Sequence, residues 1–304
     1  MKIVSLLPSA TEIVYALGLG DELVGVTDEC DFPPDAVTKP VVTRSTLPQA
    51  RIQTPAEIDA AVREKVQSDG HLYVVDTELL RRERPDVIIT QDLCRVCAVP
   101  SGDVKRALDQ IGLPDADVIS LDPDTLDDVV GQLEAVGRVL DREERARELA
   151  SSLRDRIARV KETAKRVPSV SVCCLDWSDP PFAAGHWIPE MVEAVGGSAV
   201  LAGAGEPSHE VAWHEVRVAA PEVVVFMPCG YYLEEAEEEA ETLLTHPEFA
   251  DTPAVRNGNV FAVDATSFFS RPGPRLVDGL EILAWAVHPE AYPEPAAGTI
   301  TRLR

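Results

Sequence analysis

In the middle of the chain, apolar or small residues recur at Ala146, Leu149, Ala150, Leu153, Ile157, Val160, Ala164 and Val167, a single stripe at the helical period. Asp141 suits an N-cap, Glu144 three residues later completes a capping box, and Pro168 cannot continue a helix. The spacing predicts one helix over 142–167, roughly 40 Å long at 1.5 Å per residue. That exceeds what a crossover between neighbouring strands requires, so a rigid spacer between two halves is expected. On either side, short apolar runs alternate with amphipathic segments. Strands are expected at 3–7, 23–27, 40–43, 86–90 and 118–121, then at 170–175, 222–227 and 260–263. Helices are expected from a Ser9 cap to Leu17, at 77–84 and 103–111, and from Asp124 into the long helix. Others are expected at 188–195, 213–219, 233–244 and 274–287. Residues 44–75 are less regular, and the Pro-rich tail from Pro289 is expected to be extended.

The two halves repeat one another. Glu12 to Gly18 matches Glu190 to Gly196, and Pro85 to Ile89 with Cys94 nearby matches Pro221 to Val225 with Cys229 nearby. Two matches in the same order favour two similar α/β lobes. The expected class is therefore α/β: two Rossmann-like lobes with mostly parallel sheets, joined by one long helix, with a ligand cleft between them. The expected divisions are an N-terminal lobe at 1–124, a helical linker at 125–167, a C-terminal lobe at 168–288 and a tail at 289–304.

A formal charge of −24 argues against a nucleic-acid partner, whose footprint would be basic. Cations are mostly Arg, with only six Lys, which suits either a salt-rich cytoplasm or a GC-rich genome. No apolar run is long enough to span a membrane, and the start, broken at Pro8, does not read as a secretion signal. A cytoplasmic monomer is expected as the chain stands, or an extracytoplasmic one if a leader was trimmed. Six Cys in such a chain read as thiols or ligands before disulfides.

Ligands of open parallel sheets bind beyond the carboxyl ends of the strands, and unusual residues gather there. Asp28, Cys30 and Phe32 follow the second strand; Gln91, Asp92, Cys94 and Cys97 follow the 86–90 strand. Asp176, Trp177, Phe182 and His186 follow the 170–175 strand; Cys229, Tyr231 and Tyr232 follow the 222–227 strand. The aromatics Phe32, Trp177, Phe182, Trp187, Trp213, Phe268 and Phe269 fall mostly in loops or at helix starts, where they could stack on a large flat ligand or close each lobe's core. Cys94-x-x-Cys97 has the spacing of a metal knuckle or a redox pair, with Cys30, Cys229 and His186 or His214 as further donors; inert buried thiols are the alternative. No nucleophile elbow, phosphate loop or dinucleotide fingerprint is present, so no catalytic residues are assigned.

The segments 5–12 (SLLPSATE), 31–34 (DFPP), 84–88 (RPDVI), 180–182 (PPF) with Gly185, and 271–275 (RPGPR) resemble substrate-binding proteins of ABC importers that have a helical backbone, in the branch that binds vitamin B12. The resemblance spans roughly residues 2 to 288. It implies two lobes that close little on ligand, with aromatics from both embracing a corrinoid and no cofactor required. By position it assigns Phe32, Phe182, Trp213 and Arg271 to the ligand. Trp177, His186, Gln91, Asp92, Phe268 and Phe269 join the candidate set, as do Arg44 and Tyr73 from a stretch that looks like an insertion. Docking onto an ABC permease would use Glu78 and Glu215. The Cys94/Cys97 loop departs from the family pattern and keeps a thiol-based metal or redox protein open, alongside heme and ferric siderophore as ligands.

Overall fold

The computed structural model describes residues 1–47, 54–69, 72–93 and 99–303. Two compact units emerge, one of residues 1–123 with 132–149, the other of 124–131 with 150–304.

The first unit contains β1 (Ile3–Ser5), α1 (Pro8–Ala16), β2 (Leu23–Thr27), β3 (Val41–Ser45), α2 (Pro55–Asp69), β4 (Tyr73–Val75), α3 (Thr77–Glu83), β5 (Val87–Thr90), α4 (Ser101–Ile111) and β6 (Asp117–Ser120). Its sheet runs β4-β3-β2-β1-β5-β6, parallel except where β4 returns against β3. Strand order reverses at β1, so the loops after β1, β2 and β5 share one carboxyl edge. Val4, Val42 and Ile88 from the sheet pack with Leu79, Leu80, Val104 and Leu108 from α3 and α4. Burial on both faces is why these strands read as continuous apolar runs. Helix α1 begins one residue before the expected Ser9 cap: Leu7 is the N-cap, Pro8 opens the first turn, and Ser9 is buried inside it.

Two helices lead from one unit to the other. α5 (Leu126–Val139) starts in the second unit and ends in the first; α6 (Glu143–Ala164) does the reverse. The residues of the expected 125–167 linker are thus shared between the units. α6 is the expected long helix, and Ala146, Ala150, Leu153, Ile157 and Val160 are its buried stripe. It is shorter than expected at both ends. Asp141 has φ 54°, so it reverses the chain after α5 and does not cap α6. Gly137 permits this tight reversal, since a Cβ there would stand 2.3 Å from that of Ala146.

The second unit continues with β7 (Val170–Ser178), β8 (Pro181–Ala183), α7 (Ile188–Ala194), β9 (Gly197–Ala199), β10 (His209–Glu210), α8 (Trp213–Ala219) and β11 (Val223–Phe226). It closes with α9 (Leu233–Leu243), α10 (Pro247–Ala250), α11 (Pro253–Asn257), β12 (Val260–Val263), α12 (Ala265–Phe268), α13 (Leu276–Val287) and β13 (Ile300–Arg302). The sheet order is β10-β8-β7-β11-β12-β13, with β9 also on β7. β7, β11 and β12 are the parallel core, and β8 folds back as a hairpin against the last residues of β7. The tail is not simply extended: β13 adds an antiparallel edge to β12, and the Tyr292 hydroxyl donates to the Val160 carbonyl of α6 at 3.0 Å.

Arg156 fixes α6 to α13, donating to Glu281 at 2.7 and 3.0 Å and also to Asp278. The carboxylates are nearly half exposed, so screening trims the pair's worth. Arg156→Ala is expected to cost about 1 kcal/mol, measured by urea unfolding, with a smaller loss at high salt.

Candidate functional site

In the first unit, Phe32 stands 41% exposed on the loop after β2, preceding a cis peptide to Pro33. Behind that loop the Cys30 thiol is buried, 3.0 Å from the Thr11 hydroxyl, which itself donates to Ser5 at 2.9 Å. Cys30 is therefore held among hydroxyls of α1 and β1. The Tyr73 hydroxyl donates to Glu29 at 3.2 Å, tying the start of β4 to the β2 loop. Arg44 is exposed on β3 opposite Val74, and Gln91 is buried after β5. Asp92 is engaged within its own unit: its carboxylate accepts from the Ser101 N–H and hydroxyl at 2.8 and 2.6 Å and from Ser120 at 3.1 Å. Those bonds, from Ser101 above all, hold its carboxyl below the usual range. Asp122 in turn accepts the Leu93 N–H at 2.7 Å, so the two carboxylates fasten the chain on entering the 94–98 stretch. Cys94 and Cys97 lie outside the described residues. Among the described residues, no group of three His, Cys, Asp or Glu is placed to hold a metal ion.

In the second unit the carboxyl ends of β7, β11 and β12 form one connected rim. The Trp177 ring meets Tyr231 edge-on at 5.6 Å, joining the β7 end to the loop after β11. The Tyr231 carbonyl accepts from both the N–H and the hydroxyl of Thr266 at 3.0 Å, which brings in α12. Phe182 pairs across the hairpin with Trp177 and is half-buried. Phe268 is half-buried beneath the Arg275 guanidinium, 5.7 Å from the ring centre. Arg271 is buried at 8% exposure and makes contacts within the fold.

Three candidates serve the fold in ways that sequence spacing does not reveal. Phe269 is 2% exposed, and its carbonyl accepts from the indole N–H of the buried Trp187 at 2.9 Å, so it belongs to the core. Trp213 is half-buried against His246 at 4.9 Å and Phe249 at 5.5 Å, an anchor between α8 and α10 that leaves part of the indole open. Glu215 is exposed, but its carboxylate accepts the Ala212 N–H at 2.7 Å and so closes the start of α8. Glu78 is exposed in the first turn of α3 and pairs with Arg81.

His186 does not sit at the rim's crest. β8 runs back from it, and His186 follows, at φ 51°, clasped by Gly205 N–H donating to its carbonyl at 2.9 Å. Burial keeps its imidazole below the usual pKa, and Nδ1 has no hydrogen-bond partner among the described residues. The same clasp involves Gly185, whose N–H donates to Ser208 Oγ at 3.0 Å.

The most perturbed group at this rim is Asp176. Leu175 pairs with Ala183 and Trp177 with Phe182, so Asp176 is the extra residue of a β-bulge. Burial pushes its carboxyl up to about 6, against the opposing pull of a hydrogen bond from Ser208 and the proximity of His209. Asp176 stands out in the sequence only as a loop carboxylate, while Ser208 carries no motif at all.

This architecture agrees with what similarity shows. Residues 3–266 match the sequence model of the family described as periplasmic binding protein. The chain belongs to that family. It is 26% identical over 284 residues to the vitamin B12-binding protein of Vibrio cholerae, covering 92% of this chain and 86% of the relative. It is 25% identical over 300 residues to YvrC of Bacillus subtilis, described as an uncharacterized ABC transporter substrate-binding lipoprotein, covering 96% and 82%. Among solved structures, the periplasmic heme-binding protein RhuT of Roseiflexus sp. RS-1 superposes with a TM-score of 0.69 at 25% identity, covering 95% of this chain and 98% of that one. No helix among the described residues is long and apolar enough to cross a membrane.

Proposed function

We propose that this protein is a non-catalytic substrate-binding protein whose ligand is a corrinoid of the cobalamin type, handed on to an ABC permease. The observation that carries the ligand assignment is the aromatic rim of the second unit. Trp177, Tyr231 and Phe182 are joined at the ends of β7, β8 and β11, with the partly open Trp213 on the same unit. Such a set offers apolar faces to a large macrocycle and few fixed charges to a small polar one. The V. cholerae relative named for vitamin B12 supports the same choice. Phe32, Arg44, Tyr73 and Gln91 are the contributions proposed for the first unit, and Glu78 is its proposed permease contact.

Trp213→Ala is expected to weaken cyanocobalamin binding by more than ~1 kcal/mol, the scale of one stacked contact, and to lower stability, because His246 and Phe249 lose their partner. Trp213→Phe separates the two effects: it should restore most of the stability and only part of the affinity. Unchanged calorimetric affinity in both variants would remove Trp213 from the site. Phe32→Ala, at an exposed position, tests the first unit's contribution without a comparable change in stability.

Heme is the second reading, favoured by the similarity to RhuT. Titration with hemin beside the corrinoids decides between them, since an iron-bound protein ligand shifts the Soret band.

A further inference from the structure

Trp177 belongs to β7 and is paired with Phe182, whereas its ring partner Tyr231 stands in the loop between β11 and α9. That loop is tied down at both ends. Near its start, the Cys229 N–H donates to the Asp176 carbonyl of β7 at 3.1 Å. At its far end, the Tyr231 N–H closes a local turn on the Pro228 carbonyl at 3.1 Å. The Tyr231 carbonyl there accepts from the N–H and from the hydroxyl of Thr266, each at 3.0 Å. One residue thus occupies both lone pairs of one carbonyl. Thr266 is 6% exposed, so water is no ready substitute for either donor.

Thr266 lies in α12, four residues that cannot form a helix unaided. Their neighbours hold them in place. The Asp264 carboxylate accepts the Ser267 N–H at 2.9 Å and so closes the first turn. The Asp264 N–H donates to the Thr299 carbonyl at 3.0 Å, in the tail just before β13. Helix α13 presses on the other end, where a Cβ on Gly279 would stand 2.1 Å from the Phe268 carbonyl oxygen. Strand β13 is itself fastened to β12. Val263 pairs with Ile300, and Arg302 donates to the Gly258 carbonyl at 2.6 Å and to Asn259 at 2.7 Å.

We infer that Thr266 is a positioning residue for the binding rim and that the C-terminal strand β13 acts through it. Strand β13 holds the Asp264 corner, α12 holds the Tyr231 carbonyl, and the loop so held sets the Tyr231 ring against Trp177. Where it concerns ligand, the inference rests on the corrinoid reading; where it concerns the Trp177–Tyr231 pair, it rests on the contacts alone. Ligand affinity then depends on Thr266 and Arg302, neither of which adds an aromatic face to the rim.

The test compares variants at temperatures where all are folded. Thr266→Val deletes the hydroxyl at nearly unchanged size and keeps the N–H, while Thr266→Ser keeps both donors. Thr266→Val is expected to weaken cyanocobalamin binding about fivefold, and Thr266→Ser to stay within about twofold of the wild type. Tryptophan emission of the ligand-free Thr266→Val protein should shift, and the shift should vanish in a Trp177→Phe background. Ser171→Ala is the control for stability alone. It removes a hydroxyl that donates to Glu222 at 3.0 Å at the opposite end of β7, so it lowers stability and leaves affinity within about twofold. Arg302→Ala should weaken binding about threefold in the wild type and clearly less in Thr266→Val, because both act through one linkage. Wild-type affinity in Thr266→Val, or an emission shift that persists without Trp177, overturns the role of Thr266. Fully additive losses overturn the role of β13. Absence of corrinoid binding by the wild type overturns the ligand reading, while a Trp177-dependent emission shift in Thr266→Val still upholds the positioning.

Discussion

Gly185→Ala is expected to destabilise the second unit by about 2–4 kcal/mol and to abolish corrinoid binding at temperatures where the variant is still folded. A Cβ on Gly185 would stand 2.3 Å from the Glu206 carbonyl oxygen and 2.5 Å from Pro207 C and Ser208 N. All three are main-chain atoms, so no side-chain rotation relieves the clash. The 185–187 turn would have to leave the 203–208 segment, taking with it the Gly185 bond to Ser208. Gly131→Ala is the contrast. It lies within α5 with nothing within 4 Å of its Cβ position, and there the substitution should be neutral or gain about 0.5–1 kcal/mol from helix propensity. Urea unfolding of the two variants checks both signs. A Gly185→Ala protein as stable as the wild type would show that the clasp is not close-packed.

Asp176→Asn is expected to do the opposite and stabilise the protein above pH 6. The native carboxyl titrates at about 6, above its ordinary 3.8, because burial disfavours the charge. Between those values the native state holds more protons than the unfolded chain, so stability falls as pH rises through this window and levels off above it. The asparagine isostere removes the charge at nearly unchanged size. It should gain about 1–3 kcal/mol at pH 7.5 and close to nothing at pH 4, where the wild-type carboxyl is already neutral. Denaturant unfolding at the two pH values measures the difference. An equal gain at both would trace it to packing and refute the buried charge.

Much of the fold is legible in the hydrophobic pattern, because strands buried on both faces write continuous apolar runs and α6 writes a clear stripe. The repeat between halves goes deeper than the matched letters. Arg84 and Ala220, each just before the proline that precedes a buried strand, both adopt left-handed conformations, at φ 50° and 49°. Gly18 and Gly196 do the same after α1 and α7, at φ 76° and 89°. The helix ends were less readable. Asp141 has the chemistry of a cap, yet the short return from α5 needs a left-handed residue there, and that tertiary demand outweighs the local preference.

The candidate site was legible by loop and less so by side chain. Strand order places Phe32, Trp177, Phe182 and Tyr231 at carboxyl edges, as open parallel sheets require. Composition cannot tell an aromatic that faces ligand from one that closes the core. Phe268 and Phe269 are adjacent, yet Phe269 is the buried one, and its carbonyl takes the indole N–H of Trp187 from 82 residues away in sequence. The bulge at Asp176 was hidden for a related reason. A bulge depends on pairing with Ala183 and Phe182, and no single-strand pattern announces it.

The most direct test is calorimetric titration of the purified protein at neutral pH with cyanocobalamin, dicyanocobinamide and hemin. One-to-one binding of both corrinoids at micromolar or better affinity, with hemin weaker, is the predicted result. Flat heats for both corrinoids would contradict it.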